Sequence, residues 1–469
     1  MTGVLTNTKV QSDVEAYLEQ PGRAELIRQV RDKINTSSIE YIYYQYVSIT
    51  GRIMGKFSHS SVWETFAERG FQQVYTGLTN VAVDRHGNFI GYGLDTAEFI
   101  GVPDPETFCQ LPWDKTVARV FSTCFRERYE DVEPGTYLTS DCRGNLKRIH
   151  EQFQQEHGLH LRHGCEPEMV WLRRGLDGKP EGIAKPNCYH IDQLEEMRPV
   201  YKKVIQYARA MGLDMIQGDY EVAPGQLELN FAYDDTVRTC DRLTTYRQIC
   251  AQVAREFNLI ACFMAKPFNK TTASSCHQNL SVWRSGEEIV KPLGNELLPG
   301  MDGVFTYYKG GENTFMPREG DPPTKPGVVG LQCIAGGIEH LGALTAIGCS
   351  TINSYRRLWD TGQWAPVNAN YGFQNRTCSF RISAPGRLEY RTVDAMVNPY
   401  LMAAAMLKAF DHGIKDNLDP GEPEKGNTYE SEVARRSKRL PTTLDEALNH
   451  LSDDEVIKSA LPGDTADFK

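Results

Sequence analysis

The stretch CEPEMVWL, residues 165–172, decides how this chain is organised. Side chains two apart on a strand share a face, so Glu166 and Glu168 project together where an ordinary core strand would carry apolar residues. In RLEYR, residues 387–391, the same alternation places Glu389 between two guanidinium groups on one face. These segments predict strands whose exposed face is acidic.

A second acidic segment, EVAPGQLE at residues 221–228, has Pro and Gly at its centre and predicts a turn between two strands. The two strands then bring Glu221 and Glu228 side by side. Neighbouring carboxylates resist ionising together unless a cation lies among them. Mg²⁺ and Mn²⁺ prefer oxygen ligands with an occasional imidazole, and His277 in CHQNLS is the nitrogen candidate. Two such metals suit phosphoryl transfer.

Each of these pairs alone is also typical of a solvated strand edge or an ion pair. His277 alone is typical of a hydrogen-bonded structural histidine, and Glu389 of an ion-pair ladder. The chain has no G-x-x-x-x-G-K-[ST] segment that would indicate a nucleotide. From the residues alone, the interpretation stops at a divalent-metal enzyme, with the structural alternatives open.

Composition bounds the classes of function. The chain has 469 residues, 40% of them hydrophobic, and a net charge of −10 without a block of five basic residues. This argues against nucleic acid or an anionic membrane as the main partner. The N-terminal segment lacks a basic start followed by an apolar run, and twelve scattered cysteines are typical of buried thiols. We therefore expect a cytoplasmic protein.

The pattern of segments predicts an α+β fold. A first helix is expected from Asp13 to about Asn35, followed by short β-like segments from Ile39 to about Phe121. A helix near residues 142–158 begins a larger part in which strands and helices alternate. We expect an N-terminal helix at 1–36, a small sheet domain at 37–140 and a catalytic domain at 141–469.

Taken in order, these segments resemble the motif series of glutamine synthetases. The segments are CEPE, EVAPGQLE, FMAKP, CHQNLS, NSYRRL, NRTCSFRI and RLEYRTVDAMVNPYL. The resemblance spans nearly the whole chain, and the ordered combination is far more specific than any one piece. It implies a β-grasp-like N-terminal domain and a catalytic domain with a curved antiparallel sheet flanked by helices. It also implies a homo-oligomer, a dodecamer of two hexameric rings with active sites between subunits.

The resemblance also implies roles for individual residues. Glu168, Glu221 and Glu228 match the ligands of one metal, and Glu166, His277 and Glu389 match those of the other. Arg376, Arg381 and Arg387 match arginines that hold the phosphates and the transferred group. Ser281 falls at a nucleotide-contacting position, and Arg357 and Arg391 match arginines that hold the glutamate carboxylates. Arg376 and Glu389 are the expected catalytic groups among them.

The implied chemistry is a two-step ligation that uses ATP and at least two Mg²⁺ or Mn²⁺ ions per site. The γ-carboxylate of L-glutamate attacks the γ-phosphoryl group of ATP, and an amine then displaces phosphate from the γ-glutamyl phosphate. Metals and fixed arginines would stabilise the transferring group by preorganised electrostatics.

The sequence departs from glutamine synthetases at the amine-binding positions. Thr76 stands where the family has an ammonium-binding aspartate, and Trp364 replaces a glutamate on a mobile flap. A Trp offers an apolar surface or a cation–π face. The expected acceptor is therefore an organic amine, aromatic or small alkyl, as in γ-glutamylanilide and γ-glutamylalkylamide synthetases of amine catabolism and aniline degradation. Ala273 lies in an altered loop before His277 that contacts the donor amino acid in relatives, which leaves the choice of donor open.

Three alternatives remain. The chain could make glutamine from ammonia, or it could be a γ-glutamyl-polyamine or ethanolamine ligase. A non-catalytic ring-forming relative is the third, although that interpretation predicts erosion of the metal ligands, and all six positions are intact.

Overall fold

The computed structural model describes residues 11–79, 83–84, 86–89, 93, 96–131, 133–292, 304–359 and 364–461. The side chains of residues 76, 79, 287–292, 304–309, 359 and 431 lie outside this description. The chain divides into two compact units, one ending at Asn145 and one running from Leu146 to Leu461. The expected three-part division at residues 36 and 140 stays a prediction.

The N-terminal unit begins with two helices where the sequence predicted one. These are α1 Asp13–Leu18 and α2 Arg23–Thr36. The single long helix was wrong because Pro21 and Gly22 interrupt it. Gly22 takes a φ of +83°, which glycine adopts without a steric penalty, and Pro21 lacks the amide that would continue a helix.

The sheet of this unit follows the predicted short β segments. Its strands are β1 Tyr41–Val47, β2 Ile53–His59, β3 Phe71–Val74, β4 Glu98–Pro103, β5 Cys109–Leu111 and β6 Asp114–Arg126. Their order is β2-β1-β6-β4-β3, with β5 beside β6. The pairs are antiparallel except β1 with β6, which is parallel. The helix α3 Trp63–Arg69 contributes the fully buried Trp63 to the core.

The second unit is built from strands and helices in alternation. Its strands are β7 Leu159–Arg174, β8 Pro180–Gly182, β9 Met215–Tyr220, β10 Gln226–Phe231, β11 Asp234–Asp235, β12 Ile260–Cys262, β13 Cys276–Arg284, β14 Glu287–Pro292, β15 Val304–Lys309, β16 Glu312–Asn313, β17 Tyr371–Phe373, β18 Phe380–Ala384 and β19 Arg387–Tyr390. Its helices are α4 Cys142–His157, which spans the boundary, α5 Ile191–Ala210, α6 Thr236–Glu256, α7 Val328–Glu339, α8 Leu341–Gly348, α9 Ile352–Trp359, α10 Pro399–Lys415, α11 Ser431–Ala434, α12 Leu444–Asp453 and α13 Glu455–Lys458.

A large curved sheet organises this unit. Its main path is β17-β18-β19-β13-β7-β10-β9, and the pairs are antiparallel except β17 with β18. The long strand β7 lies at its centre. On β7, Met169 and Trp171 are fully buried, while Glu166 and Glu168 alternate onto the opposite face. The sequence prediction of an α+β fold with a curved antiparallel sheet is confirmed.

Helices cover the apolar face of the sheet. Helix α6 packs against β7, and α10 packs against α6, α7 and α8. Along α10 the side chains of Tyr400, Met402, Met406 and Phe410 are almost completely buried. The helices hold this face, which leaves the acidic face available for a site.

Among the described residues, no single helix has the length and apolarity to cross a membrane, although α7 and α8 together, bent by 76°, meet that test. Ten of the twelve cysteines are buried, as the sequence predicted.

Candidate active site

Strand register gathers the acidic side chains on one face of the large sheet. Asp219 on β9 lies opposite Glu228 on β10, and Glu228 lies opposite Glu168 on β7. Directly opposed residues of an antiparallel pair have Cβ atoms about 4.5–5.5 Å apart. On the other side of β7, Glu166 lies opposite His277 on β13. Carboxylates on three strands and an imidazole on a fourth are therefore neighbours, and the residue opposite Glu228 is Asp219 rather than the predicted Glu221.

Glu166, His277 and Glu389 form a compact group, which we call the first cation set. Nδ1 of His277 lies 3.4 Å from Oε2 of Glu166 and 3.5 Å from Oε1 of Glu389. The ligand atoms of the three residues all lie within 4.8 Å of one another. Two carboxylates and one imidazole are a donor set that Mg²⁺ and Mn²⁺ accept. The structure brings this predicted set together.

Neighbouring side chains orient the first cation set. Nδ2 of Asn279 donates to Oε1 of Glu166 at 2.8 Å, and Nη1 of Arg381 donates to Oε2 of Glu389 at 2.6 Å. Burial opposes ionisation of Glu389, but the guanidinium groups of Arg391 and Arg381 hold its pKa below the ordinary value. Burial and then Arg391 hold the pKa of His277 well below its usual range. An ionised carboxylate beside a neutral imidazole is the form that binds a metal.

Glu168, Glu221 and Glu228 form the second predicted group, called here the second cation set. Glu168 is held by Ser275, whose amide donates to Oε2 at 3.0 Å and whose hydroxyl donates to Oε1. Nδ2 of Asn230 donates to Oε1 of Glu228 at 2.8 Å. Among the described residues, this set is not one of the groups whose ligand atoms all lie within 4.8 Å. The ligand atoms of the second cation set are therefore more widely spaced than those of the first.

The charges of the second cation set repel one another. Burial raises the pKa of Glu221 to about 8, and Glu168 and Asp219 add to the effect. Burial also raises the pKa of Glu228 well above its usual range, with further contributions from Glu166 and Glu168. A bound cation would offset both the burial and the repulsion. The donor set consequently fits a divalent cation.

Every member of the two sets except Glu389 lines one cavity of about 700 Å³ within the second unit. Carboxylates and guanidinium groups both line this cavity, a combination that suits a substrate with phosphates and bound cations. The lining residues include Glu166, Glu168, Asp219, Glu221, Glu228, His277, Arg357, Arg376, Arg381, Arg387 and Arg391.

Arg391 is engaged with the protein on three sides. Its side chain is 1% exposed, and Nη1 donates to Oε1 of Glu389. Nε donates to the carbonyl of Arg376 at 3.2 Å, and Nη2 donates to the carbonyl of Trp364 at 3.0 Å. Arg391 lines the cavity, but these three bonds make it a connector between its neighbours as well as the predicted contact for glutamate.

The other predicted arginines also reach the cavity. Arg357 is buried, its Nη2 donates to the carbonyl of Arg391 at 2.9 Å, and its Nη1 has no partner within the described part of the chain. A buried unpaired donor of this kind suits an anion such as a carboxylate. Nε of Arg387 donates to Oγ of Ser383 at 2.7 Å. The predicted nucleotide contact Ser281 lies on the same face of β13 as His277, but it is not among the described residues that line the cavity.

Two aromatic side chains line the cavity and stand out into it, and we call them the acceptor wall. Trp364 is 58% exposed and Tyr189 is 64% exposed. Both adopt a left-handed backbone, with φ of +65° for Trp364 and +62° for Tyr189. Strained backbone of this kind clusters at functional sites. Trp364 thus lies at the same cavity as the acidic residues and arginines, and its predicted role towards the amine stays a prediction.

Some predicted positions are only partly described. Ala273 lines the cavity, and its carbonyl accepts from Nε2 of Gln226 at 3.3 Å. The backbone of Thr76 lies in a 3₁₀ helix, Tyr75–Thr79, of the N-terminal unit, but its side chain lies outside the described part. Flap residues Gly362 and Gln363 also lie outside the described residues.

Sequence reasoning assigned no role to several side chains of the site. Asp219, Asn279 and Ser275 line the cavity or bond to a predicted ligand. The signal was present for two of them, because Asp219 stands two residues before Glu221 and Asn279 two residues after His277. Ser275 also stands two residues before His277, but its contact is with Glu168, more than one hundred residues away, and that contact depends on how the chain packs.

A second His–carboxylate group among the described residues lies outside this cavity. Glu156, His157 and Asp411 also have ligand atoms within 4.8 Å of one another. Nζ of Lys415 lies 2.5 Å from Oε2 of Glu156 and 2.9 Å from Oδ2 of Asp411. The ammonium group of Lys415 balances the charge that a cation would balance elsewhere.

Comparison with known proteins identifies a family model and several relatives. The model described as "Glutamine synthetase, catalytic domain" matches residues 139–297 and 300–468. The chain is 32% identical to the glutamine synthetase of Pyrococcus furiosus over 79% of this chain and 77% of that protein. It is 31% identical to the glutamate–methylamine ligase of Methyloversatilis universalis over 91% of this chain and 90% of that protein.

Solved structures give a consistent comparison. The structure titled "GmaS/ADP complex-Conformation 1" superposes with a TM-score of 0.77 at 28% identity, covering 93% of this chain and 92% of that one. The structure titled "Apo GmaS without ligand" has a TM-score of 0.75 at the same identity and coverage.

Proposed function

We propose that this chain, which belongs to the glutamine synthetase family and is an ATP-dependent ligase forming C–N bonds, joins the γ-carboxylate of glutamate to an organic amine. The observation that carries the proposal is the acceptor wall. Trp364, an exposed aromatic side chain, lines a cavity that is also lined by five arginines and by five of the six predicted metal ligands.

The first step would be transfer of the γ-phosphoryl group. A γ-carboxylate oxygen of glutamate forms a bond to the γ-phosphorus of ATP while the bond to the bridging oxygen of ADP breaks. Arg376, Arg381 and Arg387 line the cavity, where they can hold the phosphates and balance the charge on the transferred group. Nη1 of Arg357, which is buried and has no partner among the described residues, would hold a glutamate carboxylate.

The donor sets described above fit two divalent cations. The first cation set supplies two carboxylates and an imidazole, and the second supplies three carboxylates whose ionisation is opposed by burial and mutual repulsion. Cations bound there would neutralise charge on the phosphates and stabilise the charge that develops in the transition state.

The second step would be attack by the amine. The amine nitrogen forms a bond to the carbonyl carbon of the γ-glutamyl phosphate, phosphate leaves, and the nitrogen loses a proton. Trp364 and Tyr189 offer flat aromatic faces to the body of the amine. Asp219, a cavity carboxylate outside the two cation sets, is suited to an ammonium group before its deprotonation.

One of the relatives supports an organic acceptor. The glutamate–methylamine ligase of M. universalis matches over 91% of this chain, which favours a small alkylamine. An aromatic amine such as aniline would stack on Trp364. Both classes are included in the proposal.

Synthesis of glutamine from ammonia is the second candidate. The glutamine synthetase of P. furiosus is 32% identical to this chain, which favours it. Against it, Trp364 provides no anionic group for NH₄⁺ at the flap. A γ-glutamyl-polyamine or ethanolamine ligase has no separate observation in its favour.

The proposal includes a ring-shaped homo-oligomer in the cytoplasm, in which Thr76 of one subunit reaches the site of its neighbour. Light scattering of the purified protein would measure a mass near twelve subunits for the expected dodecamer. A monomer with full activity would contradict the shared active site.

The central test is phosphate release from ATP with glutamate and a panel of amines: ammonium, methylamine, isopropylamine, ethanolamine, putrescine and aniline. We expect kcat/KM for an alkylamine or for aniline to exceed that for ammonium at least tenfold. If the kcat/KM for ammonium is as high as that for the best organic amine of the panel, the proposal is refuted.

A further inference from the structure

The left-handed backbone of Trp364 requires support from its surroundings. A non-glycine residue in this region costs free energy and persists only where other contacts hold it. The side chain of Trp364 is more than half exposed, so packing of the indole supplies little of this support. The support must come from groups that hold the main chain.

Two side chains hold successive carbonyl groups at this place. Nη2 of Arg391 donates to the carbonyl of Trp364 at 3.0 Å, and Oη of Tyr429 donates to the carbonyl of Ala365 at 2.8 Å. Ala365 is buried in a cluster with Tyr355 and other residues of α8, α9 and α12. Ala365 is buried although it lines the cavity, and without the tyrosine hydroxyl its carbonyl would lose this donor.

Tyr429 is itself anchored on a different segment. The hydroxyl of Thr428 donates to the carbonyl of Thr377 at 2.7 Å, and the amide of Thr428 donates to Oγ1 of Thr377 at 3.1 Å. Thr377 follows Arg376, a residue of the cavity. Burial raises the pKa of Tyr429, so its hydroxyl remains a protonated donor at neutral pH.

We propose that Tyr429 is a positioning residue of the acceptor wall: through its hydroxyl it ties the Trp364–Ala365 backbone to the loop that carries Arg376. The role rests on the proposed function, since it assumes that the acceptor amine meets the indole of Trp364. Tyr429 does not line the described cavity and acts through Trp364.

The test replaces Tyr429 by phenylalanine. Loss of one hydrogen bond to a buried carbonyl corresponds to about a tenfold change in an equilibrium. Tyr429→Phe should therefore raise KM for the amine about tenfold and leave KM for ATP within about twofold. Amide hydrogen exchange in residues 364–369 should become faster.

Tyr371→Phe is the matched control. Oη of Tyr371 donates to the carbonyl of Gly421 at 2.6 Å, and Tyr371 is buried outside the described cavity lining. It loses the same kind of bond without touching the acceptor wall. Its KM values for amine and for ATP should both stay within about twofold of wild type.

A double-mutant cycle with Trp364→Gly separates loss of indole positioning from a general structural effect of Tyr429→Phe. Glycine adopts the left-handed backbone without the same penalty and has no indole to position. Tyr429→Phe should then add less than about a twofold change in amine KM. A full tenfold addition in the glycine background would overturn the proposal.

The remaining outcomes distinguish failure of the proposed role of Tyr429 from failure of the proposed ligase function. Faster exchange at residues 364–369 with unchanged amine KM would show that the tether exists but does not shape the acceptor site, which overturns the proposal. Equal increases in the KM values of amine, glutamate and ATP would indicate a structural role alone and would also overturn it. If the wild type prefers ammonium, the proposed function fails, whereas the exchange measurement and the KM for ammonium still test the tether.

Discussion

Replacing Glu166 by glutamine tests the first cation set most directly. The substitution keeps the shape of the side chain and removes one negative charge. Because the three ligand atoms all lie within 4.8 Å of one another, a cation among them lies about 4 Å or less from the charge of Glu166. Removing one charge at that distance from a divalent cation costs about 2 kcal/mol even at the dielectric constant of water. The Kd for Mg²⁺ should rise about thirtyfold or more.

The assay is the Mg²⁺ dependence of phosphate release, together with direct titration of Mg²⁺ into the protein. At saturating Mg²⁺ we also expect kcat to fall about 10²–10³-fold, since the group would stabilise charge in the transition state.

Glu156→Gln is the matched control, because Glu156 belongs to a similar His–carboxylate group whose charge Lys415 balances. It should leave the Mg²⁺ dependence unchanged. If the Mg²⁺ affinities of Glu166→Gln and wild type agree within about threefold, the reasoning that places a metal among these three residues is wrong.

Three further predictions concern other parts of the site and the fold. Trp364→Glu should shift the ratio of kcat/KM for ammonium over methylamine by about tenfold towards ammonium, because it introduces an anion where the indole now stands; unchanged ratios in the amine panel would contradict the acceptor wall. Ser275→Ala should weaken Mg²⁺ binding and lower the free energy of unfolding by about 1–3 kcal/mol, since buried Glu168 loses a donor; thermal and Mg²⁺ titrations check this against Ser379→Ala. Burial lowers the pKa of His163 to about 4, so between pH 6.5 and 4 the unfolded chain takes up a proton that folded His163 does not. The free energy of unfolding should therefore decrease by about 3 kcal/mol as the pH is lowered through this range. Urea titrations in which His163→Gln shows the same pH dependence as wild type would exclude His163 as the cause.

The helices and strands were largely predictable because their signals are local. The alternation in CEPEMVWL predicted the central strand β7, and the turn in EVAPGQLE predicted the pair β9 and β10. The first helix was mispredicted because hydrophobic spacing continued through Pro21 and Gly22, whose backbone preferences interrupt it.

From the residue pattern alone, the candidate site was predictable only as the set of side chains that share one face of a single strand. Glu221 was expected on a strand, but β9 ends at Tyr220, which leaves Glu221 in the turn. The contact of Arg391 with Glu389 follows from the alternation in RLEYR, whereas its bonds to the carbonyls of Arg376 and Trp364 have no sequence signature. These contacts join residues far apart in the chain, and their geometry depends on how strands and loops pack.

The sequence alone determined the fold class and the alternation that puts carboxylates on one face of β7, because a strand repeats every two residues whatever lies beside it. Tertiary structure decided which strands are neighbours. The register of β13 beside β7, and of β19 beside β13, brought His277 and Glu389 to Glu166. Packing of the chain also placed the hydroxyl of Tyr429 on the carbonyl of Ala365, next to Trp364. Pairing between distant strands and bonds to loop carbonyls depend on the whole packed chain, so no local pattern encodes them.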